Sequence, residues 1–382
     1  MAYRHIDLEL AQEARRSGRP CGDGTWIYRG AFHTDFALAD GIGSGIKAHI
    51  ASQMNLARLA ALLKDGASLH EAFFSLAGTV SRWREHGQPF SAFLVGRIRT
   101  NGRANLLAYE MPPPVFLGGR IARLLDPTPV VVPAGLAAEY HCEIGPYEGV
   151  LCVSDGIVQA GLGGTLDLGW TSEALEEFLN QWQLRNLPFD VKARAVMAQA
   201  RSYDGALPGD DKTVMLLHAR PGTVVRVLTG PPRDRSSDAA VCREFLDADG
   251  VKVVCGATTA EILSRESGQI LEMEQDFGDG FTPPKSSMKG ADLVSEGVVT
   301  LTQVLNLLES DADPSGDRSA AGELFRHLER ADRVHFTVGG AVNPANGDVT
   351  FRKQGILTRA TVVPLIAARL EDRGKLVTVE RI

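Results

Sequence analysis

The sequence lacks the features of a membrane, secreted or nucleic-acid-binding protein. No apolar run approaches the roughly 20 residues that a helix needs to cross a bilayer. The first residues, MAYRHIDLEL, lack the apolar core of a signal peptide. The net charge is −7, and no run of Lys and Arg offsets it, which argues against a nucleic-acid footprint. We therefore expect a cytoplasmic protein with neither a membrane nor a nucleic acid as partner.

Cysteine is scarce and irregularly placed. The five cysteines are odd in number, are widely spaced and form no C-x-x-C pair. This pattern indicates neither a zinc site nor a disulfide framework. Most of them sit in or beside apolar strands, where buried free thiols are common.

The length of the sequence and its pattern of predicted strands and helices indicate two domains. A chain of 382 residues with 44% hydrophobic and 23% charged residues is typical of a soluble globular protein with more than one core. The segment ARPGTVV, around Arg220 to Gly222, is the best boundary, which gives domains of residues 1–220 and 221–382. After it, repeated strand–loop–helix units predict an α/β domain with a mostly parallel sheet.

The first half alternates strand and helix patterns. FHTDFALAD and EGVLCVSDG have the composition of buried strands, and AHIASQMNLARLAALLKDG that of an amphipathic helix. Two apolar runs around Asn101-Gly102 predict a hairpin. SEALEEFLNQWQLRN is predicted to form one later helix.

Four acidic features at strand edges carry the chemical signal of this half. Asp23 precedes a strand, Asp40 and Asp155 each end an apolar strand and are followed by glycine, and Asp210-Asp211 begins another strand. Carboxylates beside apolar strand ends are costly to desolvate unless a positive group compensates them. No Lys or Arg lies beside all four, so the set favours a divalent cation, and oxygen ligands suit Mg²⁺ or Mn²⁺.

A single Asp-Gly pair is weak evidence, because it is a frequent turn dipeptide. We assign turns to the other Asp-Gly pairs, at Asp65, Asp204 and Asp249. The sequence that begins at Gly41 matches neither of two phosphate-binding motifs. Both the P-loop and the dinucleotide-binding fingerprint require a glycine five residues after Gly41, where this chain has Ile46. The four acidic features in order are therefore the informative pattern.

These motifs, in this order, resemble the SpoIIE-like branch of the metal-dependent Ser/Thr protein phosphatases, the PPM family. They are GD at Gly22 and Asp23, ADGIGSGIKA at residues 39–48, SDGI at residues 154–157 and DDKTVMLL at residues 210–217. The resemblance spans roughly residues 15–220. One departure is Ala92, where this branch usually has Thr.

The resemblance implies an α/β fold, a layered sandwich of two β-sheets flanked by helices, with two Mn²⁺ or Mg²⁺ ions between the sheets. It implies that Asp40 bridges both metals and that Gly41 offers its backbone carbonyl to one. Asp155 and Asp210 would ligate the other metal, and Asp23 would hold a water or complete a shell. Asp211, where relatives often have Asn, would orient or ligate.

The implied function is hydrolysis of phosphoserine or phosphothreonine by a metal-activated water, without a phosphoenzyme. No cysteine sits in a C-x₅-R arrangement, which disfavours a cysteine phosphatase. The implied partner is a phosphoprotein, of the anti-sigma-factor-antagonist type in this family, and the oligomeric state stays open, a homodimer included. The alternative is a catalytically silent scaffold whose C-terminal domain binds a ligand or partner. A third reading makes that domain an enzyme acting on a small metabolite.

The second half carries weaker signals. Gly256, Thr258 and Thr259 follow a strand at a helix N-terminus, where they could bind an anion; the alternative is that a threonine only caps the helix. Loops at residues 228–238, 292–301 and 338–346 also follow apolar runs. In an open α/β sheet such loops converge at the carboxyl edge, which predicts a cleft for a small-molecule effector.

Overall fold

The computed structural model describes residues 3–119, 121–133, 135–205, 209–273, 285–310, 316–341 and 356–382. The chain folds into two compact units, one of Arg4–Pro221 and one that comprises Gly222–Ile382 together with Tyr3. Within these described ranges, no helix combines the length and apolarity that crossing a membrane requires.

The first unit is a sandwich of two antiparallel sheets with helices on both outer faces. Its strands are β1 (Arg4–Glu13), β2 (Gly24–Arg29), β3 (His33–Gly41), β4 (Ser91–Arg99), β5 (Arg103–Tyr109), β6 (Val115–Leu117), β7 (Ala122–Leu124), β8 (Thr128–Val130), β9 (Ala137–Glu143), β10 (Gly149–Val153) and β11 (Lys212–Pro221). Its helices are α1 (Ile46–Lys64), α2 (Leu69–Glu85), α3 (Asp155–Val158), α4 (Ser172–Leu179), α5 (Trp182–Arg185) and α6 (Phe189–Asp204). One sheet has the order β1-β11-β10-β6-β7 and the other β2-β3-β4-β5-β9-β8.

The buried strands of this sandwich are apolar on both faces. In β11, Met215 and Leu217 point into the core between the sheets, while Val214 and Leu216 pack with α4 and α6. On the other sheet, α1 and α2 cover the outer face of β3, β4 and β5. A strand covered on both sides has no polar face, which is why KTVMLL has no alternation.

The second unit is a doubly wound α/β domain. Its strands are β12 (Val224–Thr229), β13 (Val251–Cys255), β14 (Leu271–Met273), β15 (Ser286–Met288), β16 (Ala291–Ser295), β17 (Arg333–Val338) and β18 (Leu376–Arg381). Its helices are α7 (Asp238–Asp247), α8 (Ala257–Ser267), α9 (Val298–Glu309), α10 (Ala320–Arg330) and α11 (Arg359–Asp372). The sheet order is β14-β15-β16-β13-β12-β17-β18.

Five neighbouring strands of this sheet, β16, β13, β12, β17 and β18, run parallel, and β14 and β15 add an antiparallel edge. The helices α7 and α8 pack on one face of the sheet, and α9, α10 and α11 on the other. The direction of winding reverses at β12, which lies between β13 and β17. The sandwich and this mostly parallel sheet confirm the predicted fold class.

The segment SEALEEFLNQWQLRN departs from its prediction. It forms two helices, α4 and α5, separated at Asn180 and Gln181. The Asn180 side chain accepts a hydrogen bond from the Ala122 N–H at 2.9 Å and donates one to the Ala122 carbonyl at 2.7 Å. This link to β7 gives Asn180 a fixed place outside either helix, so the prediction of one helix was wrong.

Candidate active site

The sandwich brings the acidic strand edges of the first unit to one end. In one sheet β2 pairs antiparallel with β3, with Gly24 opposite Ala39, so the residue before β2 lies beside the end of β3. In the other, β10 pairs antiparallel with β11, with Val153 opposite Val214. Asp23 and Asp40 therefore share one sheet edge, and Asp155 shares the other with the two aspartates that precede β11.

Hydrogen bonds join the two edges across the sandwich. The Asp155 N–H donates to Asp40 Oδ2 at 3.3 Å. The Thr213 hydroxyl of β11 donates to Asp23 Oδ2 at 2.7 Å. Thr213 is in turn fixed by its own N–H, which donates to the Ser154 hydroxyl at 2.9 Å. The four motifs thus meet in one polar cluster between the sheets.

Asp40 and Asp23 are buried, and in the part of the chain that the structure describes neither forms an ion pair with a Lys or Arg. Asp40 is 8% exposed and Asp23 2%. Burial raises the pKa of Asp40 to about 10, and the charges of Asp23 and Asp155 add to the shift. Burial raises the pKa of Asp23 to about 6, against hydrogen bonds from Thr213 and Ser154. The carboxylates repel one another in a site that water cannot fully solvate.

Asp210 and Asp211 differ in their surroundings. Asp210 is half-buried, and burial raises its pKa, with Asp155 adding to the shift and Arg15 opposing it. Asp210 Oδ1 accepts from the Asp211 N–H at 2.8 Å. Asp211 is buried, and its Oδ1 accepts from the Arg15 N–H at 2.8 Å. Asp211 is therefore engaged in holding the N-terminal segment, while Asp210 faces Asp155.

Gly41 is required by the helix that follows the site. A Cβ at this position would lie 2.1 Å from the carbonyl oxygen of Ala48 in α1. The glycine therefore permits α1 to approach the end of β3. The turn between them continues through Gly43 and Gly45, both with positive φ, at 103° and 73°. These glycines shape a tight strand-to-helix junction.

The donor set fits a divalent cation by its chemistry. The charged side chains that converge are carboxylates, and Asp23 Oδ1 is buried and accepts no hydrogen bond from the residues that the structure describes. An acceptor of this kind, in a repelling cluster, suits a hard cation that prefers oxygen. In the described ranges, no three His, Cys, Asp or Glu side chains stand close enough to form a complete metal cage.

Sequence reasoning missed a buried ion pair that supports the site. Lys212, the first residue of β11, pairs with Asp204 at the end of α6, and both side chains are about nine-tenths buried. The Lys212 ammonium also donates to the Asp210 carbonyl at 3.1 Å, and Asp204 Oδ1 accepts from the Gly161 N–H at 2.9 Å. The sequence analysis assigned only a turn to Asp204, but its side chain also forms this ion pair and this hydrogen bond. The signal available was a lysine leading an otherwise apolar strand.

The predicted C-terminal residues lie in the second unit. Gly256 precedes α8, and its own N–H donates to the Ser295 carbonyl at 2.8 Å. Thr258 is exposed. Thr259 is buried, and its hydroxyl accepts from the Gly230 N–H at 2.9 Å. Among the described residues no side chain caps α8, so the alternative of a threonine cap was wrong.

Comparison with known proteins gives a family for the first unit. Residues 31–220 match the family model described as stage II sporulation protein E (SpoIIE). Asp40, Asp155 and Asp210 lie inside this range, and Asp23 precedes it. A search of curated proteins returned no match.

Solved structures with a similar fold have low sequence identity. The RsbU and RsbW domains of a Mycobacterium tuberculosis protein share 15% identity, cover 64% of this chain and 68% of that one, and give a TM-score of 0.49. The PP2C phosphatase domain of SpoIIE from Bacillus subtilis, with a fragment of its regulatory domain, shares 17%, covers 58% and 63%, and gives 0.49. The chain thus spans less than two thirds of the second structure.

The SiaA PP2C domain of Pseudomonas aeruginosa shares 14% identity, covers 55% of this chain and 85% of that one, and gives a TM-score of 0.46. All three TM-scores are below 0.5, so no assignment is based on these likenesses. The assignment of the family rests on the match over residues 31–220, which agrees with the sandwich and with the order of its acidic motifs. The chain carries a SpoIIE domain, of the PPM type of phosphatase domains, over residues 31–220.

Proposed function

We propose that the first unit is a metal-dependent protein phosphatase that hydrolyses phosphoserine or phosphothreonine. The observation that carries the proposal is the convergence of Asp40 and Asp155 across the two sheets, where no Lys or Arg of the described residues pairs with either carboxylate. A binding protein would not need this arrangement, because buried uncompensated carboxylates destabilise the fold that holds them. A local arrangement that lowers the stability of the fold is typical of a catalytic site.

The chain would hold two Mn²⁺ or Mg²⁺ ions at this end of the sandwich. Asp40 and the Gly41 carbonyl would bind on the β3 side, and Asp155 and Asp210 on the β10–β11 side. When bound, the ions supply the Lewis acidity that lowers the pKa of an attacking water and offsets charge on the phosphoryl group. Asp23 Oδ1, which accepts no hydrogen bond from the described residues, would orient that water. Asp211 would keep the segment around Arg15 against the site.

Substrate and regulation follow from the family and the second unit. The substrate class we propose is a phosphoprotein of the anti-sigma-factor-antagonist type. The second unit would act as a regulatory domain that binds a small-molecule effector. The domain boundary is proposed at residues 220–222, in agreement with the division of the chain into units at Pro221 and Gly222.

The test is Mn²⁺-dependent hydrolysis of para-nitrophenyl phosphate by the full chain. Asp155→Asn should lower kcat by about 100-fold or more, because it removes a ligand and a charge at the metal site. Asp126→Asn is the matched control, since Asp126 is an exposed aspartate of the same unit. Activity that persists in Asp155→Asn, or that survives EDTA, would contradict the proposal.

A further inference from the structure

A cavity of about 300 Å³ opens at the carboxyl edge of the second sheet, beside the start of α11. Val338 at the end of β17 and Val363 of α11 contribute to its apolar walls. Two arginines, Arg359 and Arg381, are the charged residues among the described residues that line it. An apolar cavity with a few convergent polar groups is the usual form of a small-molecule site.

Arg359 is the unusual residue of this cavity. Its Nη1 donates to the Gly339 carbonyl at 3.3 Å, and its Nε is buried and makes no hydrogen bond to any described residue. Burial lowers its pKa, and no carboxylate of the described residues is among the groups that shift it. A partly desolvated guanidinium is costly without a counter-charge. The cavity therefore presents an uncompensated cation.

The neighbouring backbone is built around this guanidinium. A Cβ at Gly230 would lie 2.0 Å from Arg359 Nη1, so a larger residue there would displace the guanidinium from its present place. Gly230 also has a positive φ of 84°, and its N–H is held by the Thr259 hydroxyl. The end of β12, the start of α8 and the start of α11 thus meet at Arg359.

Further positive groups surround the same place. The N-cap residue of α11, Thr358, makes no side-chain bond to the helix backbone; its hydroxyl pairs with that of Thr361 at 2.9 Å. The first-turn N–H groups of α11 therefore lack a side-chain acceptor. Arg381 is exposed and lines the cavity. Arg233 packs over Gly340, with its Cβ 3.4 Å from a Cβ built there.

The cavity also lies where a doubly wound sheet binds its ligands. Such sheets bind in the crevice outside the carboxyl ends of the strands, next to the strand at which the winding reverses. That strand is β12, and Gly230 and Gly339 follow β12 and its neighbour β17. The cavity itself is lined by β17, β18 and α11, and it borders the reversal through Gly339. Gly230, which follows β12, lies beside Arg359 but does not line the cavity.

We propose that this cavity binds a small phosphorylated molecule of the nucleoside monophosphate class. The phosphate group would lie between Arg359, Arg381 and the N-terminus of α11, since a dianion matches two arginines and free N–H groups. The apolar walls would receive the base or another flat apolar part. This site is separate from the predicted residues Thr258 and Thr259, of which Thr259 serves to hold Gly230.

The experiment is calorimetric titration of the full chain with AMP, adenosine and inorganic phosphate in EDTA. EDTA removes divalent ions, so phosphate binding at the proposed active site does not contribute. We expect AMP to bind with one site per chain, and inorganic phosphate and adenosine to bind at least 10-fold more weakly. Arg359→Gln should weaken AMP binding by at least 10-fold, and Arg381→Gln by about 3- to 10-fold.

Arg330→Gln is the matched control, because Arg330 is an exposed arginine of the same unit outside the cavity lining; it should leave the affinity unchanged. Circular dichroism checks the fold of Arg359→Gln, and the exposed Arg381 keeps the test decisive if that variant unfolds. The proposal is overturned if neither AMP nor phosphate binds below about 10 mM. It is equally overturned if adenosine binds as tightly as AMP. It is also overturned if Arg381→Gln, and Arg359→Gln where that variant folds, bind AMP with the affinity of the control variant.

Discussion

Two buried aspartates on β3 show that the charge of its neighbours decides whether a buried carboxylate stabilises or destabilises the fold. Asp35 accepts from Arg97 Nε at 2.6 Å and from Nη2 at 2.7 Å, in a bidentate pair. Asp40, five positions along the same strand, faces Asp23 and Asp155 instead. Both are under a tenth exposed. Burial is the same, so the difference between them lies in the neighbouring charge.

Asp40→Asn should therefore stabilise the metal-free protein. The substitution keeps the shape of the side chain and removes the free-energy cost of protonating the carboxyl on folding, because a group with a folded pKa of about 10 is neutral in the fold at neutral pH. We expect the melting temperature of the first unit in EDTA to rise by about 2–6 °C, which corresponds to about 1–2 kcal/mol for a unit of this size. Differential scanning calorimetry measures it.

Asp35→Asn is the matched comparison on the same strand. It leaves Arg97 without its carboxylate, so we expect a loss of about 3 kcal/mol of stability. An equal fall in melting temperature for both variants would show that Asp40 is compensated by a group other than a metal ion.

The same two pKa shifts predict how stability depends on pH. Free aspartate titrates near 3.9, while the folded pKa is about 6 for Asp23 and about 10 for Asp40. Above pH 4 the folded state therefore binds more protons than the unfolded state, so stability falls as the pH rises. Each group can contribute a slope of at most about 1.4 kcal/mol per pH unit.

Melting temperatures in EDTA should accordingly fall between pH 5 and pH 8, and fall less steeply in Asp40→Asn. Saturating Mn²⁺ should flatten the profile of the wild-type protein. A stability that rises over this window, or an unchanged slope in Asp40→Asn, would refute the assigned direction.

At the scale of single residues, the acidic set could be predicted from the sequence, but the residues that hydrogen-bond to it could not. Asp23, Asp40, Asp155 and Asp210 can be found because each stands at the edge of an apolar strand. The roles of Ser154 and Thr213 depend on which strands pair across the sandwich, and local sequence does not determine that. Their metal-binding roles stay a prediction.

At the scale of elements, α6 and β11 are joined by the Lys212–Asp204 pair. Lys212→Met should destabilise the first unit by about 3–5 kcal/mol, because Asp204 remains buried without its cation. Adding Asp204→Asn should recover at least about 1 kcal/mol, since Asn can still accept from Gly161. Urea denaturation of the single and double variants measures this coupling, and strictly additive losses would exclude it.

The break between α4 and α5 shows why some elements could not be predicted. The segment is helical by pattern on both sides of Asn180, and nothing in the local sequence requires a break. The break is stabilised by two hydrogen bonds to Ala122, which is 58 residues away in sequence. Tertiary contacts of this kind override helical propensity. The strands β3 and β11 were predictable because each contains a continuous run of mostly apolar residues, which is typical of a buried strand.

At the scale of the whole molecule, the pattern of the second half predicted parallel strands but not their order. Sheet order depends on which face each crossover helix covers, and the helices of both faces have similar amphipathic patterns. The order of the sheet, with β12 at its reversal, places Arg359 next to Gly230 although they are 129 positions apart in sequence. The cavity at α11 could therefore be found only from the structure.

The two units should respond separately to their ligands, because each has its own hydrophobic core. In calorimetry of the full chain we expect two unfolding transitions. Mn²⁺ at 100 times its dissociation constant should stabilise one unit by about 2.7 kcal/mol, or about 5–10 °C, and leave the other in place. Asp155→Asn should abolish that shift, whereas Arg359→Gln should preserve it. A single transition that Mn²⁺ moves as a whole would show instead that the units unfold as one cooperative body.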